Sequence, residues 1–302
     1  MNDSQTLGRV LSPTGSFSPS RPGTNSLIAA DHGTTLSPSR LAAIDLDDTL
    51  FGRDKKVSSA NREALERLRA AGYEIIVASG RHHRNILSYE QQIGPLGWTI
   101  SSQGAVVQHS GTDELLHEWT VPEATALALY DLGRQMGCSL LVYHRDGVFA
   151  EEESEWTRLY ASRAGWQPQI ADLSRLAADG VQKVFFSHSG ERIAQIAPEM
   201  ERLHGKTLYL VVTDPETLEF LSPRANKGSA ARVLARKLGV ARENVVAFGD
   251  GNNDVELLSW AGASVAMAHG RPSARQAARL ISPAGAPETA FARGVDLVLS
   301  EA

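Results

Sequence analysis

Residues 41–52, LAAIDLDDTLFG, deliver three carboxylates within four positions, Asp45, Asp47 and Asp48, at the end of an apolar run. Burying charge is costly unless something compensates it. Asp45 and Asp47 are two residues apart, so in an extended chain both side chains point the same way. Two such neighbours raise each other's pKa unless a cation intervenes. A hard divalent cation such as Mg²⁺, which takes oxygen ligands, suits the pair. Further carboxylates, Asp250 and Asp254, stand in GDGNND. Lys227 lies in SPRANKGSAARVLARKLG, in the first turn of an expected helix. The macrodipole disfavours a cation there, whereas a phosphate would be held by the ammonium and the free backbone N–H groups together. Ser79-Gly80 offers a hydroxyl and accessible backbone donors on a smaller scale. Taken singly, each of these residues is also ordinary at a strand end or a helix cap; it is their joint placement that points to chemistry.

The elements that must position them alternate between strand and helix. Leu41–Leu46 reads as a buried strand, SSANREALERLRAAG as a helix capped by Ser58 or Ser59 and stopped at Gly72, and YEIIVASG as a second buried strand ending at Ser79-Gly80. Strand, helix and strand in succession imply parallel strands and a right-handed crossover. WTISSQGA reads as a third strand and AVVQHSGTDELLHEW as a hairpin turning at 110–113. From about Val121 to Leu210 a separate α/β pattern intervenes. The first architecture resumes with a helix over Lys227–Leu238, the strand NVVAFGD, a helix in NNDVELLSWAG and the strand SVAMA. The expected fold is α/β, a Rossmann-like doubly wound parallel sheet core (41–118 and 212–302) with an inserted α/β cap domain (119–211). Ligands of open parallel sheets bind outside the carboxyl ends of the strands. Asp45, Ser79 and Asp250 each follow an apolar strand, so they converge on one sheet edge.

Residues 1–40 differ from the rest. They are rich in Ser, Thr, Pro and Gly without apolar periodicity, and the expectation is a disordered leader. The remaining composition, 42% hydrophobic and 22% charged with net charge −5, is that of a soluble globular chain without a polyanion-binding surface, so no nucleic-acid partner is expected. No apolar run approaches a membrane span. The lone Cys138 excludes an intrachain disulfide and suits a cytoplasmic setting. The absence of GxxxxGK[ST], or of GxGxxG after a strand, removes support for nucleotide-hydrolase and dinucleotide readings. No pattern speaks to oligomeric state.

DLDDT at Asp45, ASGR at Ser79, Lys227 and GDGNND at Asp250 stand in the order of the four motifs of the haloacid dehalogenase superfamily, and the chain from 41 to 302 resembles it. The insertion between the Ser79 and Lys227 motifs resembles the Cof-type branch with a large α/β cap. The resemblance implies a Mg²⁺-dependent phosphatase of a small phosphorylated metabolite, in which Asp45 attacks phosphorus to form an aspartyl phosphate. Asp47 would protonate the leaving group and then activate water. Asp45, the Asp47 carbonyl and Asp250 would hold the metal, with Asp254 in support. Ser79, Gly80, Lys227 and Asn253 would hold the phosphoryl oxygens. A phosphomutase of the same superfamily and a non-catalytic phosphometabolite-binding regulator are the alternatives.

Two segments depart from the family pattern. SSQGA stands where members often show Asn-Gly-Ala, and His269 in AMAHG where Asn is common. His82 and His83 are expected to face solvent, Tyr143, His144 and Arg145 to form a polar cap loop, and Trp156 and Trp166 to belong to the cap core. Because residues 1–40 carry no core-forming pattern, deleting them is expected to leave melting temperature, read in a calorimetric scan, and turnover nearly unchanged. A large loss of either would show that the segment packs on the folded protein.

Overall fold

The computed structural model describes residues 38–300; the expected leader, apart from 38–40, lies outside the described residues. Its strands are β1 (Arg40–Ile44), β2 (Tyr73–Ala78), β3 (Trp98–Ser101), β4 (Val106–His109), β5 (Leu115–Glu118), β6 (Ser139–His144), β7 (Gly147–Ala150), β8 (Gln169–Ile170), β9 (Lys183–Ser187), β10 (Tyr209–Asp214), β11 (Thr217–Leu221), β12 (Val245–Gly249), β13 (Ala263–Ala266) and β14 (Leu280–Ile281). Eight of them form one sheet in the order β14-β13-β12-β1-β2-β3-β4-β5. The pairs from β14 to β3 are parallel, and β4 and β5 add an antiparallel edge.

Period-two alternation decides how the sheet is covered. Leu41 and Ala43 of β1 pack with Ala230, Leu234 and Leu257 of the helices Lys227–Leu238 and Val255–Trp260. Ala42 and Ile44 pack on the opposite face with Leu65, Leu68 and Val295 of the helices Ser59–Ala70 and Ala290–Ser300. Both faces being apolar is why β1 reads as a continuous hydrophobic run. The expected doubly wound α/β core is therefore present.

The second sheet has the order β10-β11-β9-β6-β7-β8. It extends through Leu221, past residue 211, because β10 and β11 form a hairpin in a stretch where the sequence suggested no element. One of its faces buries Leu140, Val142, Val184, Phe186, Leu218 and Phe220 under helices that include Glu123–Gln135 and Gly190–His204. By the same alternation, Tyr143, Lys183, Phe185 and Glu219 occupy the other face, toward the first sheet's carboxyl edge. Tyr143 and Lys183 are cross-strand partners, as are Phe185 and Glu219.

Residues 79–85, which follow β2, form one seam between the two sheets' domains. Gly80 O accepts from Lys183 Nζ at 2.9 Å, Arg81 and Asn85 donate to Ala164 O, Arg84 donates to Asp146 O, and His82 Nε2 lies 2.9 Å from His144 O. His82 is consequently buried rather than solvent-facing, and so is His83, whose Nδ1 lies 2.9 Å from Thr99 Oγ1 of β3 in the core. The cap lid over this segment is what sequence alone did not reveal. Tyr143 and His144 are likewise buried, at the end of β6.

Burial pushes the His82 imidazole from 6.5 down to about 4, against the pull of the His144 carbonyl. Between those values the unfolded chain takes up a proton that the folded chain refuses. Stability is therefore full above about pH 6.5 and is lost on acidification toward about pH 4, by up to about 3 kcal/mol. Replacing His82 by Asn keeps an amide donor and removes the titration. The fall in melting temperature between about pH 7 and pH 5 should be shallower in His82→Asn than in the parent; equal falls would contradict the assignment.

Candidate active site

Asp45, Ser79 and Asp250 each sit one residue beyond β1, β2 and β12. The Asp45 N–H donates to Phe248 O at 3.0 Å, and the Ser79 N–H to Ile100 O at 2.9 Å, so the sheet ladder itself fixes both backbones. After Asp45 the chain makes one wide turn, with the Phe51 N–H bonded to Leu46 O at 2.7 Å. Asp48 takes a left-handed conformation in it, φ +59°, which Asp tolerates better than most residues. Its carbonyl lies 2.8 Å from His269 Nε2, which gives that departure from the family pattern a local role.

Lys227 is the first residue of its helix, capped by the Asn226 side chain accepting from the Ser229 N–H. Its ammonium is fully buried, 2.5 Å from Asp45 Oδ1 and 2.6 Å from Asp254 Oδ1. Burial alone would lower its pKa, but the Asp254 and Asp45 charges outweigh that and raise it, so it stays a cation. The other Asp254 oxygen accepts from the Asp250 and Gly251 N–H groups, at 3.0 and 2.9 Å. Both Asp254 oxygens are thus engaged, one with Lys227 and the other with the loop. Asp250 Oδ1 accepts from Thr49 Oγ1 at 2.9 Å.

Carboxylate oxygens of Asp45, Asp250 and Asp254 lie within 4.8 Å of one another. Burial raises Asp45 well above the usual carboxylate range; Lys227 opposes this, while Asp254, Asp250 and Asp47 add to it. Asp250 is raised to about 7, by burial and then by the charge of Asp254. One ammonium does not neutralise three clustered carboxylates, and all the donor atoms are hard oxygens. The group fits a divalent cation such as Mg²⁺.

Asp47 behaves differently. Its carboxylate is gripped by Arg81 through Nε–Oδ2 and Nη2–Oδ1 bonds, both 2.7 Å, and receives Lys55 Nζ at 2.9 Å. Burial would raise its pKa, yet the Arg81 hydrogen bond and charge, with Lys55, hold it at about 2. Ser79 Oγ accepts from the Arg81 N–H at 3.2 Å, and Asn253 Nδ2 donates to Gln103 Oε1 at 2.9 Å.

Asp45, Asp47 and Asp250 line a cavity of about 560 Å³ between the two sheets' domains, with Ser79, Gly80 and Asn253 on its core side and Tyr143, Trp156, Tyr160 and Lys183 on its cap side; Lys227 and Asp254 are buried behind Asp45. The structure thus brings together every residue expected at the site: Asp45, Asp47, Ser79, Gly80, Lys227, Asp250, Asn253 and Asp254. Trp156, expected in the cap core, is half-buried and faces this cavity. Sequence reasoning gave no role to Arg81, Gln103, Lys183 or Glu219. The last two had a signal, a lone charge inside an otherwise apolar strand in VQKVFFS and TLEFL.

Residues 42–287 match the family model of the haloacid dehalogenase-like hydrolases. The chain belongs to this family. It is an enzyme of the hydrolase class, and its curated relatives include the HMP-PP phosphatase of Escherichia fergusonii, 30% identical over 78% of this chain and 86% of that one. Among solved structures, a haloacid dehalogenase-like hydrolase from Bacteroides thetaiotaomicron is 25% identical with a TM-score of 0.74, covering 86% of this chain and 99% of its own. A subclass IIB sugar phosphatase shares the fold at 19% identity, with a TM-score of 0.76 over 86% and 98% of the two chains. The likeness spans core and cap alike. No helix among the described residues is long and apolar enough to cross a membrane.

Replacing Lys227 by Met would strand Asp45 and Asp254 without their buried cation. In a chelator, urea unfolding of Lys227→Met is expected to show a loss of about 3–5 kcal/mol. A loss below about 1 kcal/mol would mean that the carboxylates do not depend on the ammonium.

Proposed function

We propose that this phosphatase hydrolyses a small phosphomonoester through an aspartyl phosphate on Asp45, with Mg²⁺ as its metal, in the cytoplasm. The observation that carries the reading is the buried Asp45–Lys227–Asp254 group, whose Asp45, with the neighbouring Asp250, lines a cavity of about 560 Å³. A cavity of that size suits a small phosphorylated metabolite. The relatives named for HMP-PP and for sugars support that class.

In this reading, Asp45 is the nucleophile, because it is the carboxylate that the ladder from β1 pins at the cavity floor. Asp45, Asp250 and the Asp47 backbone carbonyl would hold the cation, with Asp254 bracing the loop that carries Asp250. When bound, the cation neutralises charge that would otherwise keep a phosphate from a carboxylate nucleophile. Lys227, Ser79, Gly80 and Asn253 hold the phosphoryl oxygens. Asp47 rests as a carboxylate in the grip of Arg81 and Lys55, the form that takes a proton from water in the second step. To serve first as an acid it must gain a proton, which becomes easier once an incoming phosphate competes for those two cations.

Phosphate release measured over a panel of phosphomonoesters is the test. Turnover should vanish in excess EDTA and return with Mg²⁺. Asp45→Asn should be inactive on every substrate, and Asp47→Asn slower by about 10²–10⁴-fold on esters of poor leaving groups. Full activity in EDTA would remove the metal assignment. An isomerised product without free phosphate would replace hydrolase by mutase.

A further inference from the structure

The cap's only buried ion pair that faces the cavity is Lys183–Glu219 among the described residues; both are almost fully buried, at 1% and 3% exposure. Two charges taken out of water are seldom retained for packing alone, since apolar residues of similar volume serve a core as well or better. Glu219 Oε1 accepts from Thr213 Oγ1 of the cap at 3.0 Å, and the pair's other hydrogen bonds go to the core domain. Lys183 Nζ, 3.0 Å from Glu219 Oε2 and 4.4 Å from the Tyr143 and Phe185 ring centres, gives a further hydrogen to Gly80 O at 2.9 Å. Glu219 Oε2 also accepts from Gln103 Nε2 at 3.0 Å, and Gln103 Oε1 accepts from Asn253 Nδ2.

We propose that Lys183 and Glu219 are positioning residues for the phosphate-binding groups of the core, acting through a continuous hydrogen-bonded chain from the Gly80 carbonyl through Lys183, Glu219 and Gln103 to Asn253. Both ends of the chain are residues that hold the phosphoryl group in the reading above, on which the inference rests. Its middle, Lys183 and Glu219, belongs to the cap, so this route between the two ends exists only while the cap covers the core; the Gln103 N–H also donates to Ser79 O within the core, at 3.1 Å. Two local features fit the chain. A Cβ on Gly80 would lie 2.5 Å from Gln103 Nε2, so the amide can lie across that residue only if it is glycine. Gln103 itself adopts φ +59°, a conformation that Asn takes more readily. The longer Gln side chain accepts that cost and spans from Asn253 to the cap carboxylate.

The chain is tested with Gln103→Asn, which shortens the link by one methylene, and with Lys183→Met/Glu219→Leu, which removes both charges and leaves neither unpaired. In each, the inhibition constant of inorganic phosphate and the KM should rise together by about fivefold to tenfold, the worth of one ordinary hydrogen bond. Conservative Lys183→Arg should recover part of the loss. Amide hydrogen exchange at 79–81 and 251–254 should quicken in both variants while β1 keeps its protection, a readout independent of turnover. If the parent protein releases no phosphate but these amides still respond, the phosphatase reading fails and the chain stands. Two folded variants with unchanged phosphate inhibition, KM and exchange would overturn it.

Discussion

One fully buried ammonium, Lys227, holds the carboxylates of two separate strand ends together. Asp45 leaves β1 and Asp254 follows β12, and neither could sit in a low-dielectric site without it. Much of the local structure answers this constraint. Asn226 caps the helix so that its first residue is aimed inward. Asp254 spends its second oxygen on the Asp250 and Gly251 amides, which ties the loop carrying Asp250 to the same centre. Gly104 is required because a Cβ there would lie 2.4 Å from Asn226 O, and its φ is +93°. The remaining negative charge on Asp45 and Asp250 is what a divalent cation would take up.

A second centre stands beside the first. Arg81 grips Asp47 with two bonds and donates to the carbonyl of Ala164, at the end of the cap helix Glu155–Ala164. Carbonyls at a helix C-terminus carry partial negative charge, so a guanidinium is well placed there. The Asp47 carboxylate is thereby connected to the cap by a single side chain, and Gly80, His82, Arg84 and Asn85 of the same segment also bond to the cap. Cap position and the Asp47 carboxylate are mechanically linked, which suits an enzyme that encloses a small substrate before acting on it.

The core was legible because its signals are local. DLDDT, ASGR and GDGNND each end an apolar strand, and the helix over Lys227–Leu238 has its cap, its apolar face and its terminal glycine in order. The cap was legible only in outline. Lys183 and Glu219 interrupt β9 and β11 with charges whose partners lie more than a hundred positions away in one case, at Gly80 and Gln103, and in the neighbouring strand in the other. Periodicity cannot report such pairings. The same holds for His82 and His83, whose polarity suggested solvent but which bond to His144 of the cap and Thr99 of the core. The hairpin of β10 and β11 was hidden by Glu219, which makes an inward position look like an outward one.

The central claim is that Asp45 carries the phosphoryl group. With p-nitrophenyl phosphate, whose leaving group needs little protonation, Asp47→Asn should still allow the first step and stall at the second. Rapid acid quench followed by intact-mass measurement and peptide mapping should then show one phosphoryl group on Asp45 in Asp47→Asn, and none in Asp45→Asn. An adduct on any other residue, or any adduct in Asp45→Asn, would contradict the account.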